Sequence, residues 1–124
     1  MNIYRAGQVS DDWDDVKAEL DRAFQMARSA AKAGESFVFV VHHDDLLGRR
    51  GAGNAMVATG LLSAARTAAI EGSRKGWTAN VVAFDDDAEP DLVQEWAERL
   101  AGDSSGVTGE LIRVGSSHLG KALP

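Results

Sequence analysis

The residues best equipped for chemistry stand together in "HHDD", His42 to Asp45. Two imidazoles and two carboxylates can ligate a divalent metal ion or exchange protons as acid and base. They follow the apolar run "SFVFVV" and so fall at the carboxyl end of a strand, where open α/β sheets place their sites. Adjacent side chains diverge in direction, however, whereas metal sites gather ligands from separated segments. A polar strand-end loop is therefore the expected reading of His42, His43 and Asp44, with no metal. His118, near the C-terminus, joins them only if the fold brings it there.

A second candidate is "LLGRRGAGNAMVATG", Leu46 to Gly60, which has the look of a phosphate cradle with Gly48, Gly51 and Gly53 as its turns. A dinucleotide-binding unit places its glycines immediately after a strand and a carboxylate about 20 residues further on. Here "HHDDLL" separates Gly48 from the strand, Glu71 falls inside a helical pattern, and Asp85 comes too late. A P-loop needs Lys-Ser/Thr after its last glycine, and none follows. A mobile glycine-rich connection is expected, and no cofactor. Arg49 and Arg50 can hold a phosphate or a partner's carboxylate, though exposed loop arginines usually do neither. "DDDAE", Asp85 to Glu89, offers carboxylates to a hard cation. It reads more simply as a solvated turn, with Asp87 or Glu89 capping the helix opened by Pro90.

Elements that must position these groups follow from periodicity. "NIYR" is a short strand. Ser10 is the expected N-cap of a helix running to Ala33, with Trp13, Val16, Leu20, Phe24 and Ala27 as its apolar stripe and Gly34 as its stop. "SFVFVV" and "WTANVVAF" are β-branched and aromatic runs of the kind buried on both faces of a parallel sheet. "NAMVATGLLSAARTAAIEGS" is a second long helix. Leu92, Val93, Trp96 and Leu100 form the inward stripe of a third, and "GELIRV" is the last strand. Trp13, Trp77 and Trp96 are expected in the core. The pattern β-α-β-α-β-α-β predicts an α/β fold, a partial Rossmann-like arrangement of two or three layers around a parallel sheet of about four strands.

The 124 residues fit one domain, 1–124. With no cysteine, no run of about 18 apolar residues and no basic-then-apolar leader, the sequence points to a cytoplasmic protein outside the membrane. A net charge of −6 argues against a nucleic-acid partner.

Four segments in order carry a resemblance over nearly the entire chain. They are "RAG" with "SDDWDDVKAELDRAFQMARSA", then "SFVFVV", then "GNAMVATGLLSAARTAAIEGSRKGWTANVVAF", and finally "EWAERLAGDSSGVTGELIRVGSS". Together they resemble the C-terminal half of the short-chain dehydrogenases/reductases, with Glu71, Gly76, Asn80, Val82 and Ala83 at matching positions. The resemblance implies a truncated member without the family's N-terminal cofactor half. It also implies an emptied active site. The family's tyrosine and lysine positions fall on Asn54 and Ala58, or on Val57 and Leu61 in a shifted register. The serine position falls near Val41 to Asp44, and the helix asparagine on Glu19. Asparagine exchanges no proton near neutrality, and alanine supplies no charge to lower a neighbour's pKa. Apart from His42, His43, Asp44 and Asn54, no residue is a catalytic candidate, and none of these is expected to act.

In the family, the two long helices pack against the same helices of another subunit. The resemblance thus implies a non-catalytic subunit acting by oligomerisation, with itself or with a full-length reductase. The expected contact residues are Trp13, Leu20, Phe24, Ala58, Leu61, Ala64, Ala65 and Ala68, and a run of small residues would let helices approach closely. The alternatives are a ligand-binding protein or enzyme using the His42 to Asp45 loop, and an NAD(P)-dependent oxidoreductase with a divergent site.

Overall fold

The computed structural model describes residues 1–102 and 106–116; His118 lies outside them. Strand β1 (Asn2–Arg5) leads to helix α1 (Trp13–Ala33), β2 (Phe37–His42) and a single helical turn, α2 (His43–Leu46). Helix α3 (Ala52–Ser73), β3 (Ala79–Phe84), α4 (Pro90–Ala101) and β4 (Leu111–Val114) complete the order. All four strands are parallel and lie side by side in chain order, β1-β2-β3-β4. The register pairs Phe37 with Ala79 and His42 with Phe84, so the ends of β2 and β3 are level.

Every residue of β2 is buried, because successive side chains point to opposite faces and both faces are covered. Phe37, Phe39 and Val41 join Val57, Leu61 and Trp77 in the core under α1 and α3. Val38 and Val40 join Val93, Ala97 and Leu100 under α4. The architecture is thus three-layered. Burying each such Val, Leu or Phe contributes roughly 1.5–3 kcal/mol. Asn80, fully buried beside this core, donates to the Val107 carbonyl at 2.8 Å and accepts from the Glu110 amide at 3.0 Å, which steers the chain into β4. No helix among the described residues is long and apolar enough to cross a membrane.

Three expectations from periodicity are corrected. Asp12, not Ser10, caps α1, accepting from the Asp14 amide; the Ser10 hydroxyl accepts from the Asp12 amide instead. The inward face of α1 is Val16, Glu19, Ala23 and Ala30, while Trp13 and Phe24 are 57% and 58% exposed. Alanines let α1 lie close to the sheet and to α3, which a stripe of Trp and Phe would prevent. Trp77 is core, as expected, but Trp96 is only half-buried, with the Arg99 guanidinium 5.0 Å above its ring, and Leu92 is exposed. Gly34 ends α1 with φ of 72°, its N–H reaching back to Ala30 and Ala31, and Pro90 opens α4.

Candidate functional site

At the end of β2 the chain turns directly into α2, so "HHDD" is a strand-to-helix switch and not a loop. The switch corrects the expectation of diverging side chains: one potential ligand atom each of His42, His43 and Asp44 lie within 4.8 Å of one another. His42 caps the turn, its Nδ1 accepting the Asp44 N–H at 3.1 Å. An acceptor Nδ1 leaves the ring proton on Nε2, which donates to Asp86 Oδ1 at 2.8 Å. His43 is 6% exposed, and among the described residues neither of its ring nitrogens has a hydrogen-bond partner. Its Nδ1 is 3.2 Å from Asp44 Oδ1, out of line for a hydrogen bond. Asp44 also faces Arg49 at 3.3 Å. The next carboxylate, Asp45, is spent on Arg50 in a two-pronged pair at 2.9 and 2.8 Å, which raises the guanidinium above its ordinary range.

The glycine-rich stretch is already filled from within. Gly51 begins α3 with φ of 103° and no side-chain cap, a geometry open to an anion. The anion there is a carboxylate of the same chain: Asp11 Oδ1 accepts the Gly53 N–H at 2.9 Å. A Cβ on Gly53 would lie 2.2 Å from the Ser10 carbonyl oxygen, so glycine is what admits the segment bearing Asp11. Both loop arginines turn back onto Asp44 and Asp45. The role of Asp11 was not legible from sequence, where it reads as part of the acidic start of α1.

The positions that the sequence resemblance sets against the family's catalytic residues are packed away. Asn54 is buried, accepts the Val9 N–H at 2.8 Å and donates to the Arg50 carbonyl at 2.8 Å. Val57, Ala58 and Leu61 belong to the core. Glu19 is buried too. Its carboxylate accepts from the Tyr4 hydroxyl at 2.5 Å, the Gly7 amide at 2.9 Å and Arg22 at 2.7 Å. Burial pushes this carboxyl up, but the three donors outweigh it and hold it below its ordinary range. Burial and Glu19 together raise the Tyr4 phenol, so it stays protonated. Of the acidic turn, Asp85 is buried and accepts the Asp87 amide, Asp86 serves His42, and Asp87 accepts from Ser116. The turn is solvated at Asp86, Asp87 and Glu89, as expected, while Asp85 is buried and the acids also bond within the chain; Glu89 occupies the cap position of α4 without a side-chain cap bond.

Between α1 and α3 runs an open groove of about 570 Å³, walled by Phe24, Ala31, Ala64 and Ala68 and reaching Phe37 and Trp77. Trp13, Phe24 and Ala64 are exposed and Leu20 and Ala68 half-buried, so all five are open to a neighbour. Ala58, Leu61 and Ala65 are not: they face the chain's own sheet, which corrects their assignment as contact residues. Met56 and Ile70, outside the expected set, are exposed on α3.

No family model matches the sequence, and no curated protein is significantly similar to it. Solved structures do match the fold. An oxidoreductase of the short-chain dehydrogenase/reductase family from Burkholderia thailandensis aligns with a TM-score of 0.76 at 22% identity, over 91% of this chain and 62% of its own. A short-chain dehydrogenase from Mycobacterium smegmatis gives 0.72 and 22%, over 95% and 60%. An acetoin dehydrogenase from Enterobacter cloacae gives 0.65 and 17%, over 90% and 60%. The chain therefore spans about three-fifths of the length of these proteins, and over that span its fold is the Rossmann-like fold of the short-chain dehydrogenases/reductases.

Proposed function

We propose that this chain is a non-catalytic subunit that works by association through α1 and α3, with a second copy of itself as the first partner. A full-length reductase, which in that family presents the same pair of helices, is the alternative partner. The observation that carries the reading is the open α1–α3 groove with exposed Phe24 on its wall, on a helix that also exposes Trp13 at its start. A monomer gains nothing by holding aromatic side chains in water beside an apolar cleft. The packed Asn54, Val57, Ala58 and Leu61 support the non-catalytic half of the proposal, since no acid or base stands there.

Phe24 is 58% exposed, and a buried Phe covers about 200 Å², so a contact can remove about 115 Å² from water per copy, up to ~3 kcal/mol. Ordering costs reduce this. Light scattering after size exclusion is expected to find a dimer at micromolar concentration. Phe24→Glu is expected to weaken it by about a hundredfold without loss of helicity. A chain that stays monomeric at high concentration and does not bind a purified full-length reductase overturns the proposal.

A further inference from the structure

We propose that His42, His43 and Asp44 bind a borderline divalent transition cation of the zinc class. The site is independent of association and would persist in a monomer.

The starting observation is His43. A buried imidazole normally satisfies at least one nitrogen, and this one satisfies neither, although it lies against Asp44. A strand-end polar turn does not account for that, whereas a cation between the two rings and the carboxylate does. The spacing suits it. His43 Nδ1 is 3.2 Å from Asp44 Oδ1 and His42 Nδ1 is 3.9 Å from the other oxygen, Oδ2, and one donor from each residue lies within 4.8 Å of the other two. Ligands at 2.0–2.2 Å around a tetrahedral ion stand roughly 3.3–3.5 Å apart, so side-chain rotations must draw the set in by up to about 1.5 Å. His42 is already in the right form: its Nδ1 lone pair faces Asp44, and its Nε2–H is held by the Asp86 carboxylate at 2.8 Å. A carboxylate behind the ligating imidazole is the usual outer support of a metal-bound histidine.

The donor chemistry narrows the ion. Two imidazole nitrogens and one carboxylate favour zinc, cobalt or nickel over calcium and magnesium, which prefer all-oxygen cages. Two contacts must yield. The Asp44 N–H gives up Nδ1 as its acceptor, and the exposed Arg49 swings off Asp44, an ion pair of little strength at a surface. Three protein ligands leave a fourth position on the Asp44 side, where the cluster meets solvent, for water or an exogenous donor.

The test is titration of the tag-free full chain with Co²⁺, followed by its visible absorption, and with Zn²⁺ by calorimetry. One ion per chain, with tetrahedral cobalt bands and binding in the micromolar range or tighter, is expected. His43→Ala is expected to weaken binding about 100-fold and Asp86→Asn about 10-fold or more. Should His43→Ala fail to fold, Asp44→Asn, at a part-exposed side chain, must still weaken binding at least tenfold. Absence of binding at millimolar Zn²⁺ overturns the proposal, as does an ion bound equally well by folded His43→Ala or by Asp44→Asn.

Discussion

Glu19 offers the sharpest test of how this scaffold is held together. Its carboxylate joins β1 through Tyr4, the following turn through the Gly7 amide, and its own helix through Arg22. Glu19→Gln keeps the size and one acceptor oxygen but removes the charge and presents an amide to Arg22. Charge-assisted hydrogen bonds contribute about 1.5–3 kcal/mol each and neutral ones about 1, so two downgraded bonds lose about 2 kcal/mol. The exposed Arg22 adds little. Glu19→Ala also strands the Gly7 N–H and Tyr4 O–H, and is expected to cost about 3–4 kcal/mol. The effect must depend on pH. The folded carboxyl titrates below its ordinary value of 4.5, so the folded state holds its proton less tightly than the unfolded chain. The stabilisation is therefore fully present above pH 4.5 and is lost as pH falls through the lowered folded value. Urea unfolding followed by circular dichroism at pH 7 and at about pH 3 is the assay. Wild type and Glu19→Gln should differ by about 2 kcal/mol at neutrality and converge in acid. Equal midpoints at pH 7, or a gap that persists unchanged in acid, would refute the reasoning.

The glycines and the inner carboxylate make further tests. Gly53→Ala drives a methyl group into the Ser10 backbone and is expected to cost about 3 kcal/mol or more in the same assay. Gly60→Ala, where the nearest foreign atom is Leu20 Cδ2 at 3.6 Å, is expected instead to stabilise α3 by up to about 1 kcal/mol. Asp11→Ala leaves the Gly53 amide without its acceptor and is expected to cost about 1 kcal/mol, with faster amide hydrogen exchange at Gly53.

Order and type of the long elements were legible because alternating buried strands and helices leave few other topologies. Faces were less so. In α1 the eye follows Trp13 and Phe24, yet the helix buries Ala23 and Ala30, because close approach to the sheet selects small residues and volume is not written in hydrophobicity. The candidate site was half visible. "HHDD" drew notice as a cluster, but its reading as a loop of diverging side chains failed because the helix starts one residue after the strand ends. Asp11, Glu19 and Asp86 were opaque for a common reason. Each looks like an ordinary surface acid, and each acquires meaning from a partner far along the chain, such as Gly53, Tyr4 or His42.

Internal acids also weigh against a phosphate cradle at the glycine loop. An anion site at a helix N-terminus needs free amides, nearby cations and room. Here Asp11 takes the Gly53 amide, Asp44 and Asp45 take Arg49 and Arg50, and the Ser10 backbone presses on Gly53. A dinucleotide phosphate would have to displace one carboxylate and break two ion pairs, while adding its charge to a chain of net −6. Each of these internal contacts is modest alone. Acting at one helix end they reinforce one another, since every cation drawn onto an internal acid is one fewer for a ligand. His43 is the exception among the polar side chains gathered at the ends of β2 and α3: its two ring nitrogens are satisfied by nothing among the described residues. A ligand at this end of the sheet would find its open donors on the imidazoles and not on the glycines.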